Sequence, residues 1–262
     1  MTEAVEVTVA DTIRWLHEEG LNRLVGVADR VSHPISALTV DVATGTITVY
    51  PAAGGGVGSE AMALAADDLP NPIDTPKRLV IVGVTTAESV LVLDLSAILD
   101  LAVNANRPQE SVRSWMLQLL LNPEVTIVTN SDDMTIGDSP RLQQNFIPGG
   151  DATIVTVDDE QPPVTTITFN PEIEGPDHLD VAVDGSGELY LGARFWRLRQ
   201  VLALDDAQWQ ALAEQMSPTD AAAQPDSPPT TPPPGRVSVS SPDVTSGLTD
   251  TPPVRTGVTD DR

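Results

Sequence analysis

Two stretches of this sequence place residues at spacings that could bind phosphate. The first is Gly54–Gly58, GGGVG, followed by Ser59. It stands between a strand-like run and a helix-like run, where backbone N–H groups at a helix start can cradle an anion. Gly54 and Gly56 match the opening of a dinucleotide fingerprint, but Ser59 replaces its last glycine and Pro51 interrupts the junction with the strand. The plainer reading is a connecting loop. The sharper reading makes Gly54, Gly56, Gly58 and Ser59 candidate cofactor-binding residues. The second stretch, Asn104–Ser111, reads NANRPQES and lies between a strand pattern and a helix pattern, as an eight-residue loop. A triphosphate loop needs glycines for its anion nest, a lysine for the β- and γ-phosphates and a hydroxyl for Mg²⁺. Here Asn104 and Gln109 replace the glycines, Glu110 stands where the lysine belongs, and only Ser111 fits. A carboxylate there repels triphosphate, so this loop is inactive as a nucleotide site.

Other chemistry finds less support. His17, His33 and His178 are far apart, and none has the spacing of metal ligands. No G-x-S-x-G elbow occurs, and Ser186 falls in a hairpin turn. The pairs Asp67-Asp68, Asp132-Asp133, Asp158-Asp159 and Asp205-Asp206 could meet a divalent cation, but neighbours on a strand point to opposite faces, and the last pair suits a helix cap. Arg194, Phe195, Trp196, Arg197 and Arg199 form a basic–aromatic cluster that could hold a partner, although a strand edge with solvated arginines explains it as well. These residues imply no catalytic group, no metal and no cofactor.

The elements that would position these residues follow from periodicity and turn chemistry. Thr12–Glu19 reads as a helix capped by Asp11 and stopped by Gly20. Ser36–Val42 and Thr46–Tyr50 alternate about Ala43-Thr44-Gly45, a hairpin pattern. Ser59–Asp67 reads as an alanine-rich helix, and Asp68–Lys77, with three prolines, as a connection between two parts. Leu79–Val84, Val90–Leu95 and Leu101–Ala105 read as buried strands. Pro108–Leu121 is the clearest helix, with Val112, Trp115, Met116, Leu119 and Leu120 on one face. Val125–Thr129 follows as a strand, so the order predicts a right-handed parallel crossover. Ala152–Val157, Val164–Phe169, Leu179–Val183 and Glu188–Leu191 read as shorter strands, Phe195–Leu204 as extended chain and Asp206–Met216 as a last helix capped by Asp205.

The chain has 262 residues, no cysteine, 14 basic and 38 acidic side chains, and a net charge of −24. Without cysteine there is no disulfide, thiol nucleophile or thiolate metal site. The charge argues against gripping nucleic-acid phosphates, which needs clustered Lys and Arg; an acidic mimic of nucleic acid is a further possibility, although its carboxylates would form denser rows. Lys77 is the single lysine, a bias that fits a GC-rich genome, while the acidity also fits a salt-loving host. Apolar runs are too short to span a bilayer, and MTEAVEVTVA lacks the features of a secretory signal, so the expectation is a soluble, cytoplasmic protein. Residues 217–262 hold ten of the 23 prolines and no aromatic residue, a composition expected to stay disordered.

Arg78–Asn130 resembles the core of translocase-type ATPases of the septal DNA-pump and type VII secretion kind. It is more similar to the degenerate version of that core in large actinobacterial proteins that also carry LysM and bacterial transcriptional-activator domains. His178–Glu214, with DVAVDGSGELYL and LDDAQWQALAE, resembles the tail of the same region. The resemblance covers about half of the chain and implies a nucleotide-free scaffold used for interaction, with no catalytic residue. The expected class is α/β, or α+β: a mixed sheet with a strand–helix–strand core and antiparallel hairpins. The expected organisation is an N-terminal region 1–76, a core 77–216 and a tail 217–262. The functions in view are a protein-interaction scaffold, a nucleotide-binding protein or enzyme using Gly54–Gly58, and a transcription-related regulator.

Overall fold

In the computed structural model, residues 7–27, 34–52, 61–72, 78–147, 152–173 and 175–216 are described. Among them, thirteen strands form one mixed sheet, flanked by a few helices. The hairpin expected about Gly45 is present, with β1 (Ile35–Asp41) antiparallel to β2 (Ile47–Pro51). Asp41 Oδ1 accepts hydrogen bonds from the backbone N and the Oγ1 of Thr44, both at 2.8 Å, which closes the turn. β3 (Met62–Leu64) adds to the outer edge of β2. The helix expected over Ser59–Asp67 is therefore a strand and a 3₁₀ turn where it is described. An alanine run this short cannot offset helix nucleation, and the open edge of β2 offers backbone partners instead.

β4 (Leu79–Thr85) and β5 (Ser89–Asp94) pair with each other, and β5 pairs with β1. Strands from both sides of residue 76 thus share one sheet, within a unit that runs to Thr219. Both faces of these strands are covered, which explains their continuous apolar runs. Leu91 and Leu93 of β5 enter one core, and Val90 and Val92 enter the other. The second core lies under α1 (Val9–Trp15) and α2 (Leu21–Val25); α2 contributes Leu24 and Val25, and the turn between the two helices contributes Leu16.

The N-terminal helix starts earlier than expected. Thr8 is the N-cap, and Asp11, three residues on, closes a capping box. The helical path does not stop at Gly20 but passes through a π-helical turn, Leu16–Gly20, into α2. Glycine is required there because a Cβ would stand 2.9 Å from the Trp15 ring.

β6 (Asp100–Asn104) leads into α3 (Pro108–Leu120), which leads to β7 (Thr126–Thr129). The two strands run in the same direction, as the crossover requires, but they are not neighbours. β9 (Ile154–Asp158) and β10 (Thr165–Phe169) lie between them, so β6 pairs in parallel with β10 and with β11 (Asp177–Val181) instead. β8 (Leu142–Gln144) pairs in parallel with β7 at the far edge. Val112, Trp115, Met116 and Leu119 of α3 fill the first core. Near the start of β4, Gln118 of α3 satisfies both backbone groups of Ile81, at 2.8 and 3.1 Å.

β12 (Gly187–Leu191) forms the expected hairpin with β11 about Asp184–Gly187, and β13 (Arg194–Val201) then pairs with both β12 and β4. Gly83 is the contact point of the last pair, since a Cβ there would stand 2.3 Å from the carbonyl oxygen of Gln200. α4 (Asp206–Met216) is capped as expected: Asp205 Oδ1 accepts from the N–H of Gln208 at 2.8 Å, and Gln208 Oε1 accepts from the N–H of Asp205. No described helix is long and apolar enough to cross a membrane. The expected tail, residues 217–262, lies outside the described residues.

Candidate functional site

The segment compared with a triphosphate loop, Asn104–Ser111, is loop only in part, because α3 starts at Pro108 as its sequence pattern predicts. Only residues 105–107 separate β6 from α3, so Gln109, Glu110 and Ser111 already lie in the first helical turn. Pro108, without an N–H, starts the helix well because that donor has no intrahelical partner. Ser111 is buried, and the Glu110 carboxylate lies 2.7 Å from Arg107. The loop's peptide groups are occupied by Asn170, whose side chain bonds the N–H and C=O of Ala105, both at 3.0 Å.

The start of α3 is covered by the start of α4. Asp206 accepts from Arg113 NH1 at 2.6 Å and pairs with Arg107 through its other oxygen. Arg113 is buried, bonds the carbonyl of Asp133 through Nε and NH2, and lies 5.5 Å from the centre of the Trp209 ring. The hydrogen bond from Arg113, aided by the charges of Arg107 and Arg113, holds the Asp206 carboxyl below the ordinary aspartate value. Arg107 and Arg113, the two arginines beside this junction, are therefore engaged by a carboxylate of the chain itself. Leu204 adds a backbone bond to Glu110, N–H to O at 2.9 Å.

The basic–aromatic cluster is divided by the alternation of β13. Arg194 and Trp196 face one side, where Trp196 meets the Tyr50 ring edge-to-face at 5.1 Å. Arg194 lies 5.8 Å from the same ring and donates to the carbonyl of Pro51. Tyr50 belongs to β2, and three strands, β1, β5 and β4, lie between it and β13 in the sheet order, so the sheet must curl to bring the two rings together. Arg199 pairs with Glu88 at 2.6 Å beside a register shift. The expected sheet edge is an interior strand.

Phe195 and Arg197 face the opposite side, and there the structure gathers residues that the sequence leaves apart. Register sets His178, Tyr190 and Phe195 side by side across β11, β12 and β13. Their rings stack, with centroids 4.5 and 5.9 Å apart and planes inclined by 20° and 21°. The next cross-strand row is Asp180, Glu188 and Arg197. Glu188 accepts from the Tyr190 hydroxyl at 2.6 Å and from Arg197 Nε at 3.1 Å. Asp180 accepts from Asn104 Nδ2 at 2.9 Å and lies 3.9 Å from His178 Nε2. The Tyr190 hydrogen bond, with the Arg197 charge, holds Glu188 below its ordinary value; the same bond raises the Tyr190 phenol. Phe195 is 56% exposed at the end of the row.

This arrangement suits recognition by stacking and shape. Only Phe195 and Arg197 of this face stood in the sequence cluster, while Tyr190, Glu188, Asp180 and Asn104 did not. The alternation His178-x-Asp180, Glu188-x-Tyr190, Phe195-x-Arg197 could have revealed them, because the two turns at Asp184–Gly187 and Gly192-Ala193 fix the register.

The remaining candidates have structural places. Asp159 is buried and pairs with Arg78 at 3.1 Å, Asp205 caps α4, and Asp133 supplies its carbonyl to Arg113. Among the described residues, no group of three or more acidic or histidine side chains could hold a metal ion. Gly54, Gly56, Gly58 and Ser59, like His33, lie outside the described residues. Compared with known proteins, the chain matches no family model, no curated protein and no solved structure.

Proposed function

We propose that this protein is a non-enzymatic scaffold that works through protein–protein contact, with the outer face of β11–β13 as its contact surface. The observation that carries this reading is the His178–Tyr190–Phe195 ring stack, which ends on an exposed phenylalanine. Aromatic side chains present large contact area at low conformational cost and are enriched in protein interfaces. The short β6–α3 junction and the self-contained charges of Arg107, Glu110, Arg113 and Asp206 support the further reading of a degenerate, nucleotide-free ATPase-like core.

The test is affinity capture with the full chain and with Phe195→Glu, after circular dichroism shows equal folding. A partner retained by the parent and lost by the variant is the expected result. Equal capture by both chains removes this face from the proposal. Thermal shifts with ATP, GTP and NAD, with and without Mg²⁺, should be flat; a saturable shift abolished by Gly56→Asp would establish the nucleotide-binding alternative instead.

A further inference from the structure

A cleft of about 380 Å³ opens between α1 and the β1–β2 turn. Its buried lining is Thr12, Val40 and Val42, with Trp15 and Ala66 half-buried beside them. That volume falls in the range of pockets that hold small organic molecules, and its predominantly apolar wall is typical of them.

The more exposed lining carries two carboxylates, Asp11 and Asp41. Asp41 Oδ1 accepts from the backbone and the hydroxyl of Thr44, and among the described residues no arginine pairs with Asp41. Asp11 Oδ2 accepts from the N–H and the hydroxyl of Thr8, at 3.2 and 2.6 Å, while Oδ1 lies 3.4 Å from exposed Arg14. An exposed pair of that length neutralises little charge. The threonine hydrogen bonds hold both carboxyls below their ordinary value, so both stay ionised in mildly acidic solution. An apolar cavity beside an indole and a fixed negative charge complements a molecule with an apolar body and a cationic head. The net charge of −24 further raises the local concentration of cations.

We propose that this cleft binds a small organic cation, an aryl- or alkyl-ammonium, with its apolar body against Trp15, Val40 and Val42 and its ammonium at Asp41. The site involves no residue of the β11–β13 face and does not depend on the function proposed for that face.

The test is calorimetric titration of the full chain with 2-phenylethylammonium and with its neutral isostere 2-phenylethanol. The ammonium is expected to bind about tenfold more tightly, through its charge contact with the Asp41 carboxylate. Asp41→Asn, which keeps the acceptor for Thr44, should remove that preference and leave the alcohol's affinity in place. Ala66→Trp, which fills the cleft and spares both carboxylates, should abolish binding of both ligands. Asp132→Asn, a carboxylate elsewhere, should change nothing. Equal affinity for the two ligands overturns the proposal. So does a preference that survives Asp41→Asn, or one that falls equally with Asp132→Asn, which would reveal only diffuse attraction to an acidic protein.

Discussion

The guanidinium of Arg78 lies 3.1 Å from the carboxylate of Asp159, and both side chains are almost wholly buried. Arg78 also donates to the carbonyls of Gln161 and Pro163, at 2.9 and 2.6 Å, and so fixes the β9–β10 connection against the start of β4. Removing one partner of a buried pair leaves the other charge uncompensated, at a cost of about 3–5 kcal/mol. Asp159→Ala is expected to lose that much stability in urea unfolding. A loss below about 1 kcal/mol, the scale of a surface pair, would show that the pair is solvated.

Acid should loosen α4 through Asp206. Its folded carboxyl titrates below the ordinary 3.8, so its contribution is complete above that value and is lost as pH falls through the lower, folded one. Amide protection in α4, that is, exchange corrected for its intrinsic pH dependence, should fall more than protection in α3 as pH is lowered from about 6 to below the ordinary aspartate range. In Asp206→Asn that acid-specific loss of protection should disappear, because the titrating group is gone. An unchanged pH profile in that variant would assign the effect to other carboxylates.

The ring stack makes a spectroscopic prediction. Tyr190 donates to Glu188, and that bond, together with the carboxylate's charge, raises the phenol above its ordinary 10.0. Glu188→Gln should bring the phenol's ionisation down towards 10, read by ultraviolet titration with Tyr50→Phe as the background. Conversely, Tyr190→Phe should raise the Glu188 carboxyl towards its ordinary 4.5, read by carbon NMR. If neither value moves, the two side chains are not bonded in solution.

Trp115 separates size from polarity in the core. It is fully buried, and among the described residues its Nε1 has no hydrogen-bond partner. Trp115→Ala should cost about 3–5 kcal/mol through lost packing and the cavity left behind. Trp115→Phe removes the unsatisfied donor and keeps an aromatic body, so it should cost less than half as much in chemical unfolding. Equal losses would mean that the indole N–H has a partner after all.

What was legible in the sequence was local. Gly45 and Asp184–Gly187 announced their hairpins, and Pro108 with the Val112–Leu119 face announced α3, because turn chemistry and periodicity act within a few residues. Strand adjacency was not legible: nothing near β6 or β7 records that β9 and β10 separate them. The start of α1 was misplaced by three residues because Asp11 suits both N-cap and the third helical position, and Thr8 settles which. The site was half legible. The β13 cluster drew attention to Phe195 and Arg197, but strand alternation sent Arg194 and Trp196 to the other face. Residues Gly54–Gly58 stay with the sequence reading alone.

The order of strands has a consequence for biosynthesis. Every strand on the β4 side of the sheet comes from residues 35–94, and every strand beyond β13 from residues 100–191. β13, Arg194–Val201, joins the two groups and is the last of the described strands to leave the ribosome. Until it emerges, β4 and β12 each lack a partner strand on one edge, so the nascent chain should need its greatest protection from self-association after β12 has cleared the ribosome and before Arg194–Val201 has done so.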